Sequence, residues 1–272
     1  MAAGISGLAY ALPKGILNHS ELQQRFGVDE MDRLIVNTGI ISRRVSLESE
    51  CASDLAFTAA EALFENSGID HSTIDFVIFA TQMPDYLMPT TACILQNRLG
   101  ISKSAGAFDI NLGCSQYVYS HGTAFALVNS GLAKKVLVMT GDTPSRIVNP
   151  KDRAVVPLFG DAGTAAIIED VGESAGFQTF AFGSDGSEHQ SLIWPTSGMR
   201  EEKDEASSVE AVDKLGAVRS RNDMYMDGQR IFLFTLKTVP RSLKAFLTNN
   251  DLRIDEIDFF VFHQASKLIV DT

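Results

Sequence analysis

The clearest pattern along the chain is a block that occurs twice. Ile69-Asp70-His71-Ser72-Thr73-Ile74-Asp75 leads into the apolar run Phe76-Val77-Ile78-Phe79-Ala80, and Leu252-Arg253-Ile254-Asp255-Glu256-Ile257-Asp258 leads into Phe259-Phe260-Val261-Phe262-His263. Each copy reads as a short polar turn, then Ile-Asp, then a run suited to a parallel strand buried on both faces. Each is preceded by an amphipathic helix. Leu55, Ala59, Ala62 and Leu63 share one helical face before the first copy, and Val239, Leu243, Phe246 and Leu247 share one before the second. Agreement in both elements points to a duplicated α/β unit. Pro240 falls inside the second helix, where it either kinks that helix or starts a new one.

Further elements fit the same class. Ala107 to Ile110 and Lys135 to Thr140 read as strands with a helix from about Ser115 to Val128 between them, a βαβ unit whose strands run parallel. Ala165 to Ile168 and Phe177 to Phe182 read as strands, and Glu201 to Val212 as a surface loop or short exposed helix.

Composition narrows the function. The 272 residues carry 23 Lys+Arg against 34 Asp+Glu, a net charge of −11. Nucleic-acid binding, which needs a basic face, is not expected. Every apolar run is too short to span a membrane, and Met1 to Leu12 lacks the basic start of a secretory signal. Three cysteines make no disulfide framework, and none has zinc-ligand spacing from another. No metal is expected, and the class that remains is a cytoplasmic enzyme.

The cysteines differ in setting. Cys93 lies in a helical pattern where a small side chain packs. Cys51 sits on a polar approach just before Ser53, the expected N-cap of the next helix. Cys114 follows the strand Phe108-Asp109-Ile110 across Asn111-Leu112-Gly113 and directly precedes a helix. Free N–H groups at that helix start favour a thiolate and could hold an oxyanion on an attacked carbonyl. A structural thiol and a nucleophile are both open readings. A nucleophile needs a partner. His19, His71, His121 and His189 read as surface residues, while His263 follows an apolar run at the strand end where α/β sheets collect ligands, or is simply a capped histidine. Phe159-Gly160-Asp161-Ala162-Gly163-Thr164 lacks phosphate-loop spacing and reads as a tight turn supporting the next strand.

In order, Thr38-Gly39-Ile40 with Arg43-Arg44, the Asp109 to Ser115 elbow, Asp152-Arg153, Phe159-Gly160-Asp161 and His263-Gln264-Ala265 resemble β-ketoacyl-acyl-carrier-protein synthase III of the thiolase-like superfamily. The resemblance implies a layered αβαβα fold of two duplicated halves, 1–172 with the nucleophile elbow and 173–272. It implies an acyltransferase in which Cys114 takes an acyl group from a coenzyme A thioester and condenses it with malonyl-acyl-carrier protein, with His263 stabilising the enolate. Arg153, Phe159 and Gly160 fall at substrate-binding positions, and Met88 at the position that reaches into the partner's acyl pocket in a homodimer. Acyl-coenzyme A is then substrate rather than cofactor, and the acyl-carrier protein is the partner. Arg43, Arg44, Lys151, Arg153, Lys237, Arg241 and Lys267 are the candidates for a basic patch that would receive it.

Departures from the family pattern keep alternatives open. Arg33 and Asn37 stand where Trp and Arg are frequent, and Ser266 stands where Asn commonly follows His-Gln-Ala. The family's downstream Asn has no counterpart after His263, so a chain lacking its C-terminal segment, its second half incomplete, is expected. Transfer of the acyl group to a hydroxyl or amine is one alternative, and an inactive fragment or non-catalytic partner is another.

Overall fold

The computed structural model describes residues 2–172, 176 and 179–272. In chain order the elements are β1 (Ala3–Ala11), β2 (Gly15–Asn18), α1 (His19–Phe26), α2 (Val28–Thr38), β3 (Ser42–Val45), α3 (Ala52–Ser67), β4 (Phe76–Ala80), α4 (Thr91–Arg98), β5 (Gly106–Ile110), α5 (Gln116–Asn129), β6 (Lys135–Asp142) and β7 (Ala162–Asp170). There follow β8 (Leu192–Ile193), β9 (Ala211–Val212), β10 (Val218–Arg219), β11 (Tyr225–Met226), α6 (Gly228–Asn249) and α7 (Lys267–Asp271). The chain divides into two compact units, one of Met1–Gly15, Arg44–Thr143 and Gly160–Phe180, the other of Ile16–Arg43, Pro144–Phe159 and Ala181–Thr272.

The first unit is built on a five-stranded sheet in the order β1-β7-β6-β4-β5. β4 pairs in parallel with both β5 and β6, while β7 runs antiparallel to β6 and β1. The expected βαβ unit therefore forms, with β4 lying between its two strands. Alternation along each strand feeds two cores. Val77 and Phe79 of β4, Leu137 and Met139 of β6 and Ile167 of β7 pack with Ala56, Ala59, Leu63 and Phe64 of α3 and with Leu95 of α4. Ile78, Val136, Val138 and Ile168 pack on the opposite face with Ala124 and Val128 of α5. Both faces are covered, which is why the strands read as unbroken apolar runs rather than as alternating ones. α3 lies close on the sheet because β7 carries Gly163, where a Cβ would come within 2.5 Å of the Ala56 nitrogen. The N-cap of α3 is Cys51 rather than Ser53. The Asp54 carboxylate reaches back to accept the Cys51 N–H at 2.9 Å, and Ser53 is buried in the first turn.

In the second unit β8 pairs with β11 and β9 with β10, each antiparallel. Arg219 of β10 is held by two carboxylates, its Nε donating to Asp152 at 2.7 Å and its Nη2 to Asp213 at 2.9 Å. Residues 201–210 form a loop with one short 3₁₀ turn at Ala206–Ser208, and Ala211–Val212 at the end of the expected loop form β9. α6 continues through Pro240 as one helix and buries none of its residues.

Two expectations are corrected here. The run Phe259-Phe260-Val261-Phe262 forms no strand, and its residues are exposed, Val261 at 94%. A strand needs a neighbour for its N–H and C=O groups, and no described strand lies beside this one. Cys93 of α4 is likewise exposed rather than packed, because the buried side of that short helix is Thr91, Ala92 and Leu95. The strand expected over Phe177 to Phe182, and the half-boundary expected at 172/173, involve residues outside the described set.

Candidate active site

Parallel strands deliver their following loops to one end of a sheet, and in the first unit three such ends converge. β4 runs out into Thr81-Gln82-Met83, β5 into Asn111 to Cys114, and β6 ends at Asp142. Cys114 stands two residues before α5, whose first turn is closed by Gln116 N–H donating to Gly113 O at 2.8 Å. The Gln82 side chain lies close over Gly113, where a Cβ would come 2.7 Å from its Oε1 and displace it. The elbow is thus pressed against the loop that follows β4.

Cys114 is exposed. Even so, the protein around its sulfur disfavours charge, and the nearby Asp142 carboxylate does so too; together they raise the thiol's pKa, opposed by the residue's own N–H. This corrects the expectation that the helix start governs ionisation: desolvation and a like charge outweigh it. Asp142 had no part in the sequence reading. Its Oδ1 accepts from Thr81 Oγ1 at 2.9 Å and from Gln82 N–H at 2.8 Å, and its Oδ2 accepts from Gln116 Nε2 at 2.9 Å. Burial raises its pKa against these bonds. Its position at the carboxyl end of an apolar strand was the available signal. Asp109 of β5 plays a supporting part, accepting the N–H groups of Thr91 and Ala92 at the start of α4 at 2.8 and 2.7 Å.

Cys114, Met88 and Gly160 belong to the first unit; His263, Arg153 and Phe159 belong to the second. Met88 is 86% exposed in the loop after β4. Gly160 precedes Asp161, which is buried; Ser46 N–H donates to its carboxylate at 2.7 Å, and its own N–H donates to Arg44 O. That turn anchors the start of β7, the structural role expected of it. His263 is exposed, and desolvation by its surroundings lowers its pKa. Arg153 lines a cleft of about 690 Å³ with Arg25, Phe26, Pro150, Lys151 and Gly216. Its guanidinium pairs with Glu30, and Lys151 pairs with Glu210 at 2.7 Å. Arg33 donates to Asp29 O at 3.0 Å on its own helix.

Two further expectations change. His121 is not a surface residue. It is buried, its Nδ1 lies 2.7 Å from Tyr117 O, and its Nε2 has no hydrogen-bond partner. Arg43 is buried, so it cannot belong to a basic docking patch. Lys267, another member of that patch, is paired with Asp271. Among the described residues no helix is long and apolar enough to cross a membrane, and no group of three His, Cys, Asp or Glu side chains is placed to hold a metal ion.

The profile of 3-oxoacyl-[acyl-carrier-protein (ACP)] synthase III matches residues 108–186, the stretch that carries the elbow. A putative 3-oxoacyl-[acyl-carrier-protein] synthase 3 from Campylobacter jejuni is 35% identical over 99% of this chain and 76% of its own length. A crystal structure of a 3-oxoacyl-(acyl-carrier-protein) synthase III superposes with a TM-score of 0.96 at 39% identity, covering 100% of this chain and 81% of that one. The β-ketoacyl-[acyl carrier protein] synthase III of Thermus thermophilus superposes at 0.83 with 33% identity, over 98% of this chain and 78% of its own. The α/β, thiolase-like fold is the one these structures share. The chain spans 76–79% of the length of these curated relatives.

Proposed function

Because the chain belongs to the 3-oxoacyl-[acyl-carrier-protein] synthase III family, we infer that it condenses an acyl thioester with malonyl-acyl-carrier protein through an acyl group on Cys114. One observation carries the assignment of the nucleophile: an exposed thiol at the turn between a sheet strand and the first turn of α5, beside the half-buried Asp142 carboxylate.

The chemistry follows from that placement. The Cys114 thiolate attacks the thioester carbonyl, and N–H groups at the helix start receive the developing oxyanion. The carbonyl re-forms, the acyl C–S bond to the donor breaks, and the donor's thiolate leaves and takes up a proton. Malonyl-acyl-carrier protein then loses CO₂, and the bonding pair passes into an enolate whose oxygen His263 stabilises, a role suited to a histidine held near its uncharged form and donating through one ring N–H. The enolate carbon attacks the acyl-Cys114 carbonyl, a C–C bond forms, and the thiolate is expelled. Arg153, Phe159 and Gly160 bind substrate, with coenzyme A approaching through the Arg153 cleft. Met88 reaches the acyl pocket of a second copy in a homodimer. The enzyme works in the cytoplasm and draws on no cofactor beyond its thioester substrates.

Intact mass after incubation with acetyl-coenzyme A tests this. Wild type should gain one acyl group that Cys114→Ala does not, and malonyl-acyl-carrier protein should discharge it as a β-ketoacyl product. An adduct that persists in Cys114→Ala overturns the assignment. An adduct discharged only onto a hydroxyl or amine acceptor would make the enzyme a simple acyltransferase, and no adduct at all would leave the non-catalytic reading.

A further inference from the structure

The Asp142 carboxylate stands where β6 ends. It is half-buried there, and its partners are a hydroxyl, two backbone N–H groups and a carboxamide, none of them charged. Burying a carboxylate without a cation is costly even when neutral donors surround it. A stable sheet end has no need of one. The donors come from two different segments, Thr81, Gln82 and Met83 from the loop after β4 and Gln116 from the first turn of α5. One carboxylate therefore ties both segments to the strand between α5 and β7.

The details of Gln116 point the same way. Its Nε2 faces Asp142, while its Oε1 is buried with no partner. An amide that leaves its own oxygen unsatisfied is being oriented by its neighbour rather than by its own hydrogen bonding. Gln116 is two residues beyond Cys114, and the Gln82 side chain closes over Gly113, one residue before it. Both flanks of the nucleophile are thus fixed through Asp142.

We propose that Asp142 is a positioning residue for the acylation step, holding the Cys114 elbow against the ends of β4 and β6 so that the thiol is presented in one orientation. This rests on Cys114 as the nucleophile. The groups facing the carboxylate are Thr81, Gln82, Met83 and Gln116, all uncharged, and its charge acts to raise the pKa of Cys114. The residue that holds the elbow thus also adds, after desolvation, to the upward shift of the thiol's pKa.

The test uses the full chain and two readouts: alkylation of Cys114 by iodoacetamide across a pH series, and acylation by acetyl-coenzyme A followed by intact mass. Asp142→Asn keeps the shape and removes the charge. Its alkylation midpoint should fall by about one pH unit as the like charge is lost, and its acylation should slow about tenfold as the elbow loosens. A midpoint superimposed on wild type overturns the proposal, since a merely structural residue would slow acylation without moving it. Acylation within about twofold of wild type overturns it equally, because the effect would then be one of charge alone. Gln116→Leu carries the same test should Asp142→Asn fail to fold. It removes one donor and leaves the charge, so the midpoint should rise and acylation should slow, and neither moving would overturn the proposal. Wild-type protein that alkylates at Cys114 yet takes no acyl group would sink the acyl-transfer reading instead, and the alkylation midpoints would still decide the role of Asp142.

Discussion

The two copies of the repeated block end in opposite states. In the first, Val77, Ile78, Phe79 and Ala80 are fully buried in β4, the one strand of the five with parallel neighbours on both sides. In the second, Phe259 is 86% exposed and Phe260 and Phe262 more than 40%. The preceding helices divide in the same way: α3 buries eight of its residues and α6 none. The entry residue repeats the contrast. Asp75 accepts the N–H groups of Lys134 and Lys135 at 2.8 and 3.1 Å, and its own backbone bonds to Lys135 on one side and Gly106 on the other. Asp258, its counterpart, is exposed. Near-identical local patterns give a core strand in one place and an open segment in the other. What differs is the supply of partner strands, so the pattern specifies a capacity for burial and the surrounding sheet realises it.

Truncating one aromatic in each copy should separate them most widely. Phe79→Ala removes a fully buried ring from the core beneath α3 and should cost about 3–5 kcal/mol, read as a fall in the urea midpoint of the first unit. Phe262→Ala should cost about 0.5 kcal/mol or less, as exposed substitutions do. Comparable losses would mean that the second run is packed in solution, and the contrast between the copies would fail.

A smaller separation is expected at the entry residues. Asp75→Ala leaves two N–H groups at the start of β6 without their acceptor and should cost about 1–2 kcal/mol, with faster hydrogen exchange at Lys134 and Lys135. Asp258→Ala should leave stability unchanged.

The same contrast explains what could be read from the residues. The βαβ unit, the buried face of α3 and the elbow at Cys114 were legible because each depends on local signals: periodicity, a Gly-containing turn and a helix start. The open state of Phe259 to Phe262 was not, because strand formation depends on residues remote in the chain. β1 also escaped notice. Its Gly4 and Gly7 dilute the apolar alternation, and its pairing with β7 spans most of the first unit's sequence. Asp142 was passed over, and Arg43 assigned to a docking patch, for a related reason. A charged residue in a sequence reads as solvated, and only the assembled sheet end shows the first inside a hydrogen-bonded knot and the second buried.

His121 offers the smallest expected effect, a slope rather than a step. It is buried on α5, and desolvation lowers its pKa below the ordinary 6.5 despite the bond to Tyr117 O, which acts to raise it. The folded chain therefore keeps His121 neutral at a pH where the unfolded chain has begun to protonate it. The unfolded state binds more protons in that interval, so stability is complete above 6.5 and declines as pH falls from there toward the lowered folded value. Asp32, Asp70 and Asp170 have pKa values held below 3.8 and titrate outside this interval. Asp142, raised by burial, works in the opposite sense: the folded state retains its proton longer, so its contribution falls as pH rises. Comparing wild type with His121→Gln cancels that contribution. Gln can still donate to Tyr117 O but carries no titrating ring, so urea midpoints measured from neutral pH down through 6.5 should fall less steeply in the variant. His263→Gln should flatten the slope less, since that ring is exposed in the second unit. Parallel slopes for wild type and His121→Gln would mean that the buried ring is protonated in the fold and that its Nε2 has found an acceptor, whereas a larger change at His263 than at His121 would reverse the contrast between the two units.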